Sequence, residues 1–189
     1  MSTTSAVPLP TQAAPAVWNI DPVHSVVEFK VRHMMISNAR GQFSKVNGVL
    51  MLDEARPENS HVEASMEVDS IDTRDAQRDA HLKAADFFDA AQFPTINFKS
   101  TSVKAANGGG TVEGELTIHG VTRKVVLDVE GPTAPGKDPW GHTRIGVQAT
   151  TKISRKEFGL TWNAALETGG VLIGDEVTIT VDIQFVKAE

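Results

Sequence analysis

The 189-residue chain contains no cysteine and no tyrosine, and it has no long run of apolar residues. The lack of cysteine excludes disulfide bonds, cysteine-ligated metal centres and a thiol nucleophile. No stretch approaches the roughly 18 apolar residues of a membrane-spanning helix. Basic residues are also outnumbered, because 18 lysines and arginines face 24 aspartates and glutamates, for a net charge of −6. This acidic balance argues against nucleic acid as a partner, which usually requires a basic face.

The amino-terminal segment lacks the basic start of a secretory signal peptide, because the first basic residue is Lys30. Residues 1–16 are rich in alanine, proline and threonine, a composition that favours disorder. We therefore expect a disordered tail over residues 1–16, a single domain over residues 17–189 and a cytoplasmic location.

Alternation of apolar and polar residues dominates the rest of the chain. Val27, Phe29 and Val31 fall on one side of an extended strand, with charged residues between them. The same period of two recurs over residues 61–68, 96–100, 112–118, 124–129, 144–153 and 176–185. The segments NGGG at 107–110 and HG at 119–120 predict tight hairpin turns. About eight strands joined by short turns indicate an antiparallel sandwich or barrel, and the periodicity alone does not choose between them.

Residues 74–85 break the period of two and are rich in alanine, arginine and aspartate. Asp72 or Thr73 is placed to cap a helix that begins there. Asp79 and Lys83 have the spacing of a favourable ion pair on one helix face. The segment therefore predicts a short helix between two strands.

Ten short blocks of sequence, in one order along the chain, carry a family resemblance. They are DPVHS at 21–25, FKVRHM at 29–34, GQF at 41–43, SIDT at 70–73, RDAHL at 78–82, FFD at 87–89, FP at 93–94, LTIHGVT at 116–122, RKEFGL at 155–160 and GDEV at 174–177. Together they resemble the bacterial YceI-like, polyisoprenoid-binding family, over about residues 18–187. This resemblance implies an all-β fold, an eight-stranded antiparallel lipocalin-like barrel with a short helical insertion.

The resemblance also implies a function that needs no enzyme activity and no cofactor. Such a barrel binds a long amphipathic lipid in its interior, for sequestration, storage or transport. The lipid is a polyisoprenoid, an isoprenoid quinone or a fatty-acid amide. Family members often form dimers, so we expect a homodimer, with no nucleic-acid partner and no stable membrane insertion. Many members are exported to the periplasm, and the missing basic start sets this chain among the cytoplasmic ones.

A lipid tail requires a deep apolar tube, in which each buried methylene contributes roughly 0.8 kcal/mol. Inward strand faces would supply the tube, and flexible methionines after the first long strand would suit its rim. The predicted ligand-binding residues are Phe29, Val31, Met34, Met35, Phe43, Phe98, Leu116, Ile118, Val147, Ala149, Phe158, Leu160, Trp162 and Ile179. The alternative is a closed core, because side chains usually fill the interior of a small barrel.

Four polar residues are candidates for holding the lipid head group. Arg78, Asp79 and His81 form the densest polar cluster, and Arg155 lies beside the FG pair of its block. The alternative is that the first three form a solvated, ion-paired helix surface.

The sequence gives little support to catalysis. Its six histidines lack H-x-H and H-E-x-x-H spacing, and there is no G-x-S-x-G elbow. We therefore expect no catalytic residue and no metal. Two alternatives stay open: a histidine-dependent enzyme, with or without a metal, that acts on a hydrophobic substrate, and a stress-related interaction module.

Overall fold

A computed structural model describes residues 14–167 and 169–189. These residues form twelve β-strands and one α-helix. The elements are β1 (Ala16–Ile20), β2 (Val26–His33), β3 (Ser37–Phe43), β4 (Val46–Leu52), β5 (His61–Glu67), β6 (Ile71–Asp72), α1 (Ala76–Lys83), β7 (Thr95–Ala106), β8 (Gly109–Ile118), β9 (Val121–Glu130), β10 (Gly136–Lys137), β11 (Thr143–Ser154) and β12 (Ile173–Lys187). Most of the predicted 1–16 tail lies outside the described residues, and β1 begins at its last residue.

Eight of the strands close into an antiparallel barrel. Their order is β11-β9-β8-β7-β5-β4-β1-β12, and β12 returns to β11 along a register from Arg144↔Val186 to Ser154↔Glu176. The long strand β12 pairs with β1 near its carboxyl end and with β2 over the rest of its length. Strands β3 and β6 extend the wall beside β2. The predicted eight-stranded antiparallel barrel is confirmed.

Period-two alternation determines which side chains enter the barrel. On β12, Val177, Ile179 and Val181 face the interior, whereas Thr180 and Asp182 are exposed. Successive side chains of a strand point to opposite faces, so each strand contributes every second residue to the inside. The apolar residues of the sequence are thereby gathered along one continuous inner surface.

Two predicted hairpins occur where expected. A two-residue turn separates β7 from β8, with Gly108 at a φ of 77°. Another separates β8 from β9, where His119 and Gly120 have φ values of 51° and 71°. In this second turn, positive φ at both central residues matches the right-handed twist of a hairpin. These turns keep β7, β8 and β9 adjacent in the wall.

The helix α1 confirms the predicted insertion, but with a different cap. The carboxylate of Asp75 accepts hydrogen bonds from the backbone N–H groups of Gln77 and Arg78, at 3.0 and 3.1 Å. The expected cap at Asp72 or Thr73 is therefore wrong by two or three residues. The expected Asp79–Lys83 pair is also wrong, because the Asp79 carboxylate binds Thr73 and Lys83 lies 4.0 Å from Asp69.

The barrel has two chemically different ends, which carry separate core clusters. We define the helix end by α1, the turn Arg155–Phe158 and the β2–β3 hairpin. We define the terminus end by the start of β1, the last residues of β12 and the loop 131–142. Phe158 is central to the core cluster near the helix end, and Trp18 belongs to the other cluster. Both side chains are only 1% exposed.

Candidate functional site

The barrel encloses a cavity of about 680 Å³. Its walls are built almost entirely from aliphatic and aromatic side chains at inward strand positions. Examples from around the wall are Phe29, Val31, Leu50, Ala64, Phe98, Leu116, Leu127, Val147, Ile179 and Val181. A cavity with such walls favours an apolar ligand, because few polar groups are available to orient a hydrophilic one.

The barrel is hollow through its middle. Phe29, Phe98 and Ile179 point inward yet are only half-buried, in contrast to the fully buried Phe158. Side chains that packed against one another across the barrel would be buried to the same degree as the core clusters. The structure therefore favours the tube over the closed core as the role of the inner face.

The cavity is long and narrow. Its lining extends along β12 from Ile173 to Phe185, a stretch that spans about 40 Å of extended chain. Barrel strands tilt by 35–45° from the axis, so this stretch covers about 30 Å along the barrel. A volume of 680 Å³ spread over that length fits one extended chain better than a compact ligand.

Most of the predicted ligand-binding residues contribute to the cavity lining. They are Phe29, Val31, Phe43, Phe98, Leu116, Ile118, Val147, Ala149, Leu160, Trp162 and Ile179. Contact between these residues and a ligand stays a prediction.

Three of the predicted residues lie outside the lining. Phe158 packs into the core cluster at the helix end, because the turn Arg155–Phe158 directs it there rather than into the tube. Met34 and Met35 occupy the tip of the β2–β3 hairpin at φ values of 50° and 62°, where their side chains are exposed. These methionines belong to the outer surface of the helix end.

The sequence prediction also omitted several lining residues. Leu127 and Val181 belong to strands that were identified by alternation and share their inward faces, so the same signal would have found them. Leu50 on β4 is different, because residues 46–52 were not recognised as a strand. Gln77 of α1 also lines the cavity and carries no sequence signal for that role, unlike its helix neighbours Arg78 and His81, which were candidates for the head group.

A polar network at the helix end holds the loop before α1. Arg78 donates from Nε to Thr73 Oγ1 and from Nη2 to the Thr73 carbonyl, both at 2.7 Å. The Asp79 carboxylate accepts from the Thr73 N–H at 2.9 Å and from its hydroxyl at 2.5 Å. Arg78 contributes to the cavity lining, whereas Asp79 does not. Of the two predicted head-group residues, Arg78 therefore lies at the cavity, whereas Asp79 holds the loop.

His81 and Trp162 fasten α1 over the helix end. The His81 ring meets Trp162 and Phe87 edge-on, with centroid separations of 4.8 and 5.1 Å. Its Nε2 lies 2.7 Å from a carboxylate oxygen of Asp86. Such aromatic pairs contribute about 0.5–1.5 kcal/mol beyond their burial. His81 and Trp162 both line the cavity, so the contact between their rings is also part of the cavity wall.

Arg155 organises the segment that follows it. Its side chain is 4% exposed and donates from Nε to the Gly174 carbonyl and from Nη1 to the carbonyls of Leu160 and Trp162, at 2.6–2.9 Å. Within the described residues, Nη2 has no hydrogen-bond partner, and Asp175 Oδ1 lies 3.6 Å away. Burial lowers the pKa of the Arg155 guanidinium. This arginine positions two lining residues, Leu160 and Trp162.

One serine–histidine–carboxylate chain bears on the enzyme alternative. Ser100 Oγ lies 2.9 Å from His61 Nδ1, and His61 Nε2 lies 3.1 Å from Glu63 Oε1. The Ser100 hydroxyl is buried, accepts the Val62 N–H and does not line the cavity. This arrangement braces β5 against β7 and presents no nucleophile to a ligand in the tube.

Two kinds of feature are absent from the described part of the chain. No group of three or more histidine, aspartate or glutamate side chains there is arranged to hold a metal ion. No described helix is long and apolar enough to cross a membrane.

A closed antiparallel barrel around an elongated apolar cavity defines a class of hollow β-barrel with room for a ligand. A family model described as a YceI-like domain matches residues 18–185. The chain therefore belongs to the YceI-like family. A UPF0312 protein of Vibrio cholerae is 38% identical over 156 residues, which cover 82% of each chain. Protein YceI of Salmonella newport is 38% identical over 138 residues, 73% of this chain and 72% of that protein.

Solved structures share the barrel. A YCEI protein of Campylobacter jejuni superimposes with a TM-score of 0.70 at 29% identity, over 84% of this chain and 90% of that one. A polyisoprenoid binding domain from Saccharophagus degradans gives a TM-score of 0.65 at 16% identity, over 92% and 99% of the chains. At that lower identity the second likeness shows the fold alone.

Proposed function

We propose that this protein binds one long amphipathic lipid inside its barrel, for sequestration, storage or transport. The observation that carries this proposal is the narrow apolar cavity with its half-buried inner walls. The ligand classes are a polyisoprenoid, an isoprenoid quinone and a fatty-acid amide. The Saccharophagus degradans protein that shares this fold is a polyisoprenoid binding domain, which supports a lipid of this kind.

The walls of the cavity account for the affinity without any chemical reaction. Each methylene moved from water into the tube contributes roughly 0.8 kcal/mol, so a long chain gains substantial binding energy from burial alone. The candidate polar groups lie mainly at the helix end, where Arg78 and His81 join the lining. We therefore propose a binding protein rather than an enzyme.

A substitution inside the tube tests the proposal. Val125 and Val126 are neighbours on β9, but Val125 lines the cavity and Val126 is 50% exposed on the outer face. We expect Val125→Trp to block the tube and abolish a one-to-one lipid adduct, while Val126→Trp retains it. Native mass spectrometry of protein purified without detergent and then offered ubiquinone, geranylgeraniol or oleamide measures the adduct.

Two outcomes would contradict lipid binding in the tube. One is a wild-type protein that stays empty with every lipid. The other is equal loading of the two tryptophan variants, with circular dichroism showing that both are folded.

The cellular location and the assembly state are parts of the same proposal. We propose a cytoplasmic homodimer, in keeping with the dimers common in similar proteins. Cell fractionation and light scattering of the purified protein measure these two properties separately from lipid binding.

A further inference from the structure

The turn of the β2–β3 hairpin exposes three consecutive apolar residues. Met34, Met35 and Ile36, which we call the apolar tip, are 41%, 55% and 77% exposed. Single exposed apolar side chains are ordinary on protein surfaces, but a run of three at one projecting turn is unusual. The Met34 N–H donates to the Leu172 carbonyl at 2.7 Å, and the neighbouring Val171 is also exposed. A second loop therefore extends the apolar surface.

The backbone of the apolar tip does not suit its residues. The turn is closed by a hydrogen bond from the Ile36 N–H to the His33 carbonyl at 3.2 Å, with Met34 and Met35 at its central positions. Their φ values of 50° and 62° lie in the left-handed region that favours glycine and asparagine. The two methionines are thus unfavourable both for the backbone and for solvation. Folding does not account for them, which points to a contact outside the chain.

The hairpin face beside the apolar tip is positively charged. Lys30 pairs directly with Arg40 and Arg32 pairs with Asn38, so the three cations share one face. Like charges opposite each other on neighbouring strands destabilise a sheet. In the described residues, none of the three cations forms an ion pair. The nearest carboxylate along β2 belongs to Glu28, further from the tip than Lys30. This face therefore suits an anionic surface, although the whole chain is acidic.

The cavity reaches the base of the same hairpin. His33 directly precedes the apolar tip and lines the cavity, as do Leu172 and Ile173. The Leu172 carbonyl also holds the Met34 N–H. A surface that met the apolar tip would therefore lie beside the helix end of the tube.

The terminus end is the alternative surface, because it carries one exposed aromatic side chain. Trp140 is 76% exposed, and its N–H donates to the Asp138 carboxylate at 2.9 Å. That carboxylate also accepts from Arg144 at 2.7 Å, so the positive charge there is matched within the chain. The terminus end thus lacks the cationic face that accompanies the apolar tip.

We propose that the β2–β3 hairpin docks this protein on a lipid bilayer that contains anionic phospholipid. The apolar tip enters the interfacial region of the bilayer, and Lys30, Arg32 and Arg40 lie against its anionic head groups. Apolar insertion and electrostatic attraction together give peripheral, reversible binding without a membrane span. This surface is separate from the ligand proposed inside the tube, and docking would bring the helix end of the tube to a store of lipid.

Sedimentation with vesicles measures the docking. We expect vesicles of about three parts phosphatidylcholine to one part phosphatidylserine to bind the protein about tenfold more tightly than phosphatidylcholine alone, with the difference shrinking as salt rises. Met34→Asn combined with Met35→Gly should reduce binding to the mixed vesicles about tenfold. The same double variant should raise Tm, because Asn-Gly suits the turn. That rise would exclude unfolding as the cause of the lost binding.

Two further variants separate charge and lipid uptake from docking. Arg40→Gln should weaken binding to the mixed vesicles about fivefold and leave binding to phosphatidylcholine unchanged. Arg123→Gln is the matched control, since it removes an exposed arginine on β9. Val125→Trp, which is designed to block the tube, should dock as the wild type does.

The lack of cysteine permits a direct measurement of insertion. Ile36→Cys and Trp140→Cys each provide the only thiol of the chain, to which an environment-sensitive fluorophore is attached. Mixed vesicles should shift the emission to the blue at position 36 and leave it unchanged at position 140.

Each contrary result has a distinct meaning. A wild type that does not bind mixed vesicles overturns docking without touching lipid binding in the tube, and loss of a dimer in the double variant would then assign the apolar tip to a second copy of the chain. A blue shift only at position 140 overturns the choice of end. An equal loss in Arg123→Gln overturns the role of the hairpin cations. Loss of vesicle binding in Val125→Trp would show that uptake into the tube, and not the hairpin, explains it.

Discussion

Two poorly exposed arginines stabilise the opposite ends of the barrel by different means. At the terminus end, Arg144 donates to the carboxylates of Asp21 and Asp138, at 2.5 and 2.7 Å. At the helix end, Arg155 donates to three backbone carbonyls, and its nearest carboxylate is 3.6 Å away. Hydrogen bonds that Arg144 donates to the two aspartates raise the pKa of its guanidinium, whereas burial lowers the pKa of the Arg155 guanidinium.

The difference shows that one end of the barrel is held by ion pairs and the other by hydrogen bonds from a buried cation to the backbone. At the terminus end, the positive charge of Arg144 is matched by the carboxylates of Asp21 and Asp138. At the helix end, the buried guanidinium of Arg155 is held mainly by backbone carbonyls instead. The second arrangement fixes the segment that carries the lining residues Leu160 and Trp162.

The largest effect that we expect separates the roles of the two arginines. Arg155→Met leaves three buried carbonyls without their donors and should lower the free energy of unfolding by about 3 kcal/mol. It should also weaken lipid binding, because Leu160 and Trp162 lose their support. Arg144→Met should destabilise the protein and leave lipid affinity unchanged. Urea denaturation measures stability, and native mass spectrometry measures binding.

The distinction between the ends fails if Arg144→Met reduces lipid affinity as much as Arg155→Met does. Arg123→Met is the matched control, since that side chain is exposed and outside the cavity lining.

A smaller effect is expected from the aromatic contacts of α1. Trp162→Ala removes the aromatic partner of both His81 and Phe87. It should lower the free energy of unfolding by about 2 kcal/mol. Hydrogen exchange over Ala76–Lys83 should accelerate, because the helix loses its attachment. Trp140→Ala is the control at the terminus end, where that side chain is 76% exposed. Equal exchange rates in the two variants would show that Trp162 does not hold α1.

The smallest effect concerns pH and belongs to the terminus end. Burial raises the pKa of Asp138, but hydrogen bonds from Arg144 and from backbone N–H groups outweigh it and lower the value to about 2. A lowered pKa in the folded state means that the stabilisation is complete above about pH 4, the ordinary range of the group, and is lost as pH falls through about 2. The same cluster lowers the pKa of Asp21.

Asp138→Asn should therefore reduce Tm at pH 7, and the two Tm values should converge near pH 2. The deficit of Arg155→Met should stay constant across that window, because its hydrogen bonds are to carbonyls. Differential scanning calorimetry at several pH values checks both trends. A deficit of Asp138→Asn that is as large at pH 2 as at pH 7 would remove the carboxylate from the explanation.

The strands of the barrel could be predicted because their signal is local, but the choice of a barrel over a sandwich came only from the family resemblance. The alternation of strands such as β2 and β12 depends only on residues that are neighbours in sequence. The hairpin at His119 likewise depends on only two residues. Strands β3 and β4 were missed because residues 37–52 contain few alternating apolar residues. Sequence alternation also could not decide between a filled and a hollow interior, since both have the same inward residues.

The site could be predicted only in part, for a related reason. Inward strand positions identify wall residues such as Phe29 and Val147, but the role of a loop residue depends on distant partners. Phe158 is apolar like the wall residues, yet its turn carries it into the core. The role of Arg155 likewise depends on the carbonyls of Leu160, Trp162 and Gly174, which only the fold brings to its guanidinium. Such a set of hydrogen bonds is a property of the folded chain.

The pairing of β12 has a consequence for how the barrel assembles. Its residues pair with Trp18 and Ile20 on one side and with β11 on the other, so contacts join almost opposite ends of the described chain. Proteins dominated by such distant contacts fold slowly, because loop closure precedes the gain from pairing. Until β12 is in place, the inner faces of the other strands are open to water and to other chains. The last strand in sequence is therefore the one that closes a curved apolar sheet into a barrel.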